Sequence, residues 1–141
     1  VSCDPRDRDR YGRVIAVLDG DTIEVLKDGK PVRIRLNGID APEKDQAYGM
    51  KSKMFVSELI YGKTVKVIEK ETDRYGRMIA DIYTTPVNQV IIGAGLAWHY
   101  KRYSDDEKLA NAESTARALK LGLWADENPV PPWDWRRRPS K

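Results

Sequence analysis

Val32-Arg33-Ile34-Arg35-Leu36-Asn37-Gly38-Ile39-Asp40-Ala41-Pro42-Glu43 is the stretch from which the rest of the chain can be read. Val32, Ile34 and Leu36 alternate with Arg33 and Arg35. In an extended strand this puts the apolar set on one face and both guanidiniums on the other. Arg35 therefore leaves the core face just where the chain turns through Asn37-Gly38. The turn brings Asp40 and Glu43 into the same neighbourhood. One arginine beside two acids, with no histidine, suits phosphate chemistry assisted by a hard cation better than acyl transfer. The plainer alternative is a surface strand with solvated charges and an ordinary turn.

Upstream, Val14 to Leu18 is a continuous β-branched and aliphatic run, broken by Asp19-Gly20-Asp21 and resumed from Thr22 to Leu26. Lys27-Asp28-Gly29-Lys30 is a hairpin signal before Val32. Three short strands joined by tight turns form a meander. Downstream, Gln46 to Tyr61 is helical in pattern, with Phe55–Leu59 and Val56–Ile60 spaced i,i+4 and Gly62 as a stop. Thr64 to Ile68 and Met78 to Tyr83 are two further strands, separated by a polar connection from Glu69 to Arg77. Val87, Val90, Ile91 and Ala94 mark a short helix after the Thr84-Thr85-Pro86 turn. Ser104-Asp105-Asp106-Glu107 has capping-box spacing before a helix striped by Leu109, Ala112, Ala116 and Leu119 and ended by Gly122.

From Asp126 onward four prolines, two tryptophans and Arg136-Arg137-Arg138 suit an extended tail pinned by Trp133 and Trp135. Five short strands with interleaved helices point to an α+β fold, a small five-stranded β-barrel of the OB type flanked by three helices. The divisions expected are a lead-in over 1–12, one domain over 13–125 and the tail over 126–141.

The composition fits one domain with a real core: 141 residues, 40% hydrophobic and 33% charged. Twenty-five Lys+Arg against 22 Asp+Glu give +3, which neither requires nor argues against a nucleic-acid partner. Cys3 is the only cysteine, so the fold must stand on packing. No apolar run reaches bilayer length and no secretory segment is present. The start at Val1-Ser2-Cys3 suggests a mature or trimmed form.

Three islands stand out: Asp19-Gly20-Asp21-Thr22, Arg35 with Asp40 to Glu43, and Asp73-Arg74-Tyr75-Gly76-Arg77. Each alone reads as turn chemistry. In this order and at these spacings the chain resembles the staphylococcal (micrococcal) nuclease family. The likeness runs from about Arg13 to Trp124 and includes Leu18 to Thr22, Arg35-Leu36, Ile39 to Glu43, Asp73 to Arg77, Gly95-Leu96-Ala97 and Gly122-Leu123-Trp124. The Pro131-Pro132-Trp133-Asp134-Trp135-Arg136 stretch resembles the tails of bacterial secreted or plasmid-borne members.

The resemblance implies an OB-fold barrel and Ca²⁺-dependent hydrolysis of DNA and RNA that leaves 3′-phosphate ends, by a monomer in a secreted or periplasmic setting. Carried over by position, Asp21 and Asp40 match carboxylate ligands of one Ca²⁺ and the Ala41 backbone carbonyl a further ligand, where the family prototype has threonine. Asp19 matches an acid behind the ligands. Glu43 matches the residue that activates the attacking water, and Arg35 and Arg77 the pair that clamps the phosphate. Asp21, Asp40 and Glu43 against two arginines and a divalent ion leave about +1, which attracts a phosphodiester; without the ion the site would repel it. Arginine suits the role because its planar fork holds two phosphate oxygens and stays charged.

Arg74 and Tyr75 match nucleotide-phosphate contacts and Tyr103 a base-stacking tyrosine. Lys101 replaces a second aromatic, and the Lys44 to Gly49 connection is shorter than the prototype's mobile loop by about half a dozen residues. His99 and the tryptophans read as structural, Cys3 as a bland thiol or a lipid-attachment site, and Arg136 to Arg138 as a solvated basic end or an added phosphate-binding tail. The rival expectation, from another class, is a non-catalytic nucleic-acid-binding OB-fold domain of the Tudor staphylococcal nuclease type.

Overall fold

The computed structural model describes residues 11–83 and 86–139, so the expectations for Cys3, the lead-in up to Arg10 and Thr84-Thr85 lie outside the described residues. In chain order the elements are β1 (Tyr11–Asp19), β2 (Thr22–Lys27), β3 (Lys30–Leu36), β4 (Ile39–Asp40) and α1 (Gly49–Ile60). There follow β5 (Thr64–Thr72), β6 (Met78–Tyr83), α2 (Val87–Gly93), β7 (Trp98–His99) and α3 (Glu107–Ala118). A 3₁₀ turn (Gly122–Ala125) and α4 (Pro132–Trp135) complete the chain.

Five strands close a barrel in the order β1-β2-β3-β6-β5, the OB-type architecture expected. Closure comes from one parallel pairing, β3 with β6, which sets Arg35 opposite Ile79 and Leu36 opposite Ala80. The period-2 pattern is obeyed: Ile34 and Leu36 are buried, whereas Arg33 is exposed and Arg35 only partly covered. Val14, Ile23, Val25, Val65, Val67, Ala80 and Ile82 join Ile34 in the barrel core, and Val56 and Ile60 of α1 plug against it. Each such fully buried aliphatic contributes about 1.5–3 kcal/mol, which explains how the fold stands without disulfides. A second cluster of Trp98, Ala116, Leu123 and Trp124, with Trp133 against it, joins α3 and the C-terminal segment to the barrel.

Several local expectations need correction. β1 already begins at Tyr11, because Tyr11, Gly12 and Arg13 pair with Lys66, Val65 and Thr64. β5 runs on to Thr72, so the first part of the polar connection after Ile68, Glu69 to Thr72, is strand; these residues are polar because they face solvent. Ser104 is not the cap of α3. Asp106 is, accepting from the Lys108 N–H at 2.8 Å, while Ser104 Oγ serves the Asp106 N–H and the His99 ring. Leu119 lies beyond the last turn and is exposed, and Glu113 takes a buried place on the stripe instead. The stretch expected to be an extended tail closes one helical turn at Pro132–Trp135, with Pro132 at the position where a missing N–H costs nothing.

Candidate active site

Two tight turns and one short ladder bring the islands together. At Asp19-Gly20-Asp21 the β1–β2 turn presses on α1, where a Cβ on Gly20 would meet Ser52 Oγ at 2.0 Å and Ala41 Cβ at 2.9 Å. Gly38 bends the chain after β3 with φ +77°, a conformation that disfavours any side chain. The bend lets Ile39 and Asp40 pair with His99 and Trp98, which buries Asp40 completely.

The result is a chain of charge contacts on the barrel rim. Arg35 Nη1 lies 3.3 Å from Asp21 Oδ2, and Arg35 Nη2 lies 3.3 Å from Asp40 Oδ1. Asp21 Oδ2 also accepts the Ala41 N–H at 2.8 Å, and Asp21 Oδ1 the Thr22 hydroxyl at 2.9 Å. Arg35 thus bridges two acids that lie 19 residues apart. Burial disfavours its charge, but Asp21 and Asp40 outweigh that and hold its pKa above the ordinary value. Burial pushes the Asp40 carboxyl up, against the hydrogen bond from Arg136 and with the charge of Asp21. Burial, then Asp21, likewise raises Asp19.

A groove of about 940 Å³ opens over this cluster, lined by Asp19, Asp21, Arg35, Glu43, Arg77 and Arg136 among others. Arg77 lines the same groove but is not part of the Asp21–Arg35–Asp40 contact chain. The β5–β6 hairpin tip holds it, with Arg77 Nε donating to Asp73 Oδ2 at 2.7 Å. Asp73 in turn gathers the backbone N–H groups of Tyr75 and Arg77 at 2.9 Å each, which overcome burial and hold its carboxyl below the usual range. Arg74 and Tyr75 are carried on the same tip. The Arg74 guanidinium lies 5.0 Å and that of Arg77 5.5 Å from the Tyr75 ring centre. Tyr103, exposed across the groove, stands edge-on to Tyr100 at 4.9 Å with Arg102 5.6 Å from its ring. Tyr75 and Tyr103, both lining the groove, therefore each pair an aromatic face with a nearby cation.

His99 is buried, its Nε2 3.0 Å from Ser104 Oγ, and burial lowers its pKa; it takes no part in the groove. The short Lys44 to Gly49 connection is tied to Glu43 by Gln46, whose Oε1 accepts the Glu43 N–H at 3.1 Å.

The sequence reading missed Arg136 as a member of this cluster. Its Nη1 donates to Asp40 Oδ1 at 3.0 Å and Glu43 Oε1 at 2.7 Å, and its Nη2 to Asp40 Oδ2 at 2.7 Å. Trp133 delivers it, stacked on Tyr100 at 5.3 Å and edge-on to Trp98 at 5.4 Å. The pinning role expected for Trp133 and Trp135 was the available signal; the solvated reading of the arginine run hid its consequence. Among the described residues no three His, Cys, Asp or Glu side chains are grouped to hold a metal ion by themselves.

Residues 33–126, which carry two of the three islands and both guanidiniums of the expected clamp, match the family model described as staphylococcal nuclease homologue. The chain belongs to the staphylococcal nuclease family. It is 51% identical over 133 residues to an Escherichia coli O157:H7 protein named as an uncharacterized endonuclease, covering 92% of this chain and 87% of that one. It is 45% identical over 129 residues to a Haemophilus influenzae protein of the same name, covering 89% and 72%. To the micrococcal nuclease of Shigella flexneri it is 39% identical over 146 residues, covering 94% and 84%. This staphylococcal nuclease homologue is accordingly a hydrolase of nucleic acid, and no described helix is long and apolar enough to cross a membrane.

Proposed function

We propose that this nuclease hydrolyses the phosphodiester bonds of DNA and RNA in a Ca²⁺-dependent reaction, breaking the P–O5′ bond to leave 3′-phosphate ends. The observation that carries the reading is Arg35 bridging the buried Asp21 and Asp40 beside a groove that Arg77 also lines. Asp21, Asp40 and the Ala41 backbone carbonyl would hold the ion, with Asp19 behind them. The donor chemistry fits a hard cation, because every candidate ligand is an oxygen and Arg35 holds the Asp21 and Asp40 carboxylates close together. When bound, the ion supplies positive charge to the phosphoryl oxygens and to the departing oxygen.

The chain's own groups supply the rest. Glu43, partly exposed at the groove, takes the proton of the attacking water. Arg35 and Arg77 grip the phosphate from two sides and neutralise the charge that builds on its oxygens. Arg77 engages Asp73 through Nε, which fixes the plane of its guanidinium before substrate arrives. Arg74, Tyr75 and Tyr103 hold the flanking nucleotides by charge and stacking. The reading takes residues 13–125 as the nuclease unit, acting as a monomer, and the secreted or periplasmic setting implied by the resemblance goes with it.

Digestion of plasmid DNA and of RNA with Ca²⁺, and with a chelator, tests the proposal. Cleavage only with Ca²⁺, lost in Glu43→Gln and leaving 3′-phosphate ends, is expected. Equal cleavage in the chelator would overturn the metal dependence, and 5′-phosphate ends the assigned bond.

A further inference from the structure

We propose that Arg136 is an in-chain counter-cation for the site carboxylates, so that docking of the C-terminal segment and binding of a divalent cation oppose one another. The inference rests on the reading of Asp40 as a metal ligand. Arg136 donates to both oxygens of Asp40 and to one oxygen of Glu43, which are the groups expected to bind the ion and to activate water. Asp40 is fully buried in this arrangement. Arg35 already takes one of them at 3.3 Å. A guanidinium and a divalent ion therefore compete for the same lone pairs and the same negative charge.

The segment that brings Arg136 is docked at several further points. Trp135 Nε1 donates to Asp45 Oδ1 at 3.1 Å and Arg138 Nη2 to Asp45 Oδ2 at 2.9 Å. Gln46 Nε2 donates to the Val130 carbonyl, and Trp133 stacks on Tyr100. The short connection after Glu43 is thus the landing surface for the tail. The two contacts to Asp45 are exposed and of modest strength, so this part of the cover is readily released. Binding linkage is reciprocal: whatever factor Arg136 costs the ion in affinity, the ion costs the docked tail. The C-terminal segment is in this way a cation-sensitive cover over the groove.

Calcium titration calorimetry of the full chain without nucleic acid, together with hydrogen exchange over residues 127–138, tests the linkage. Arg136→Gln is expected to bind Ca²⁺ about tenfold more tightly than wild type. Arg138→Gln, which loosens the tail without changing the charge at Asp40, is expected to tighten binding by a smaller factor. Saturating Ca²⁺ should speed exchange across the docked segment in the wild-type chain. Equal or weaker Ca²⁺ binding by Arg136→Gln, or exchange that Ca²⁺ leaves unchanged, overturns the proposal. Asp40→Asn separates the two layers. Calcium binding that needs Asp40 but ignores Arg136 removes only the competition. Binding that ignores Asp40 removes the metal-site reading beneath it.

Discussion

Asp40 and Glu113 are both almost closed off from solvent, yet their surroundings are opposite in kind. Glu113 sits in a complete set of partners. Its Oε2 accepts the His99 N–H at 2.6 Å, and its Oε1 faces Arg117 at 3.2 Å and Lys101 at 3.8 Å. One negative charge meets a backbone donor and two cations, and nothing further is called for. Asp40 shares its corner with Asp21 and Glu43, and among the described residues the ion pairs to these three come from Arg35 and Arg136. Burial pushes the Asp40 carboxyl up even with two guanidiniums on it. A closed cluster holds a helix to the β4–β7 ladder. A cluster of several neighbouring acids at a groove has charged groups left for a ligand to engage.

The sharpest way to break this contrast is to neutralise each side in turn. Glu43→Gln should cut phosphodiester hydrolysis by about 10²–10⁴-fold, measured on a defined oligonucleotide, with the fold retained in circular dichroism. Arg35→Lys should cost about 10²-fold in kcat, because a point charge cannot bridge both acids and grip two phosphate oxygens. Glu113→Ala should instead cost about 2–3 kcal/mol of stability in urea denaturation, since it strands the buried His99 N–H and the cations that faced it. The folded fraction of Glu113→Ala should cleave at close to the wild-type rate. A variant that folds normally but is inactive would erase the distinction.

The pH dependence should separate the two clusters by sign. Burial lowers the His99 pKa below its usual 6.5, so the unfolded chain binds the proton more readily than the native one. Stability contributed there is complete above 6.5 and is lost as pH falls toward the lowered native value. Asp40, whose native value is raised above 3.8, behaves oppositely: its contribution is complete below 3.8 and lost as pH rises through the raised value. Urea denaturation of His99→Gln and Asp40→Asn across this range should flatten the two slopes separately. The smallest effect is expected at Lys101→Ala, within about 0.5 kcal/mol, because the lysine is largely exposed and its contact with Glu113 is long.

Much of the barrel was legible because its signals are local. Val32-Arg33-Ile34-Arg35-Leu36 declares its two faces by period alone, and Asp28-Gly29 turns the hairpin with φ of 51° and 76°. The site was legible to the extent that it hangs from such elements: Arg35 ends a strand, and Asp21 and Asp40 follow turns. The errors fall where partners are distant. Ser104 resembled a cap, but the His99 ring reaches it across a loop and Asp106 takes the role. Thr64–Thr72 looked half strand because polar residues on an exposed face mimic a connection.

The amino-acid order by itself determined the five barrel strands in outline, the three longer helices, the acidic and basic islands and the family, since periodicity, turn chemistry and motif spacing act over a few residues. Only the folded chain decided which charges meet. Arg136 lies 96 residues from Asp40, and neither residue's neighbours hint at the other. Stacking of Trp133 on Tyr100 and the closing of one helical turn set that distance to 2.7 Å, turning a basic run into part of the site. Contacts between segments far apart in the chain depend on the whole shape of the barrel, and no local pattern encodes that shape.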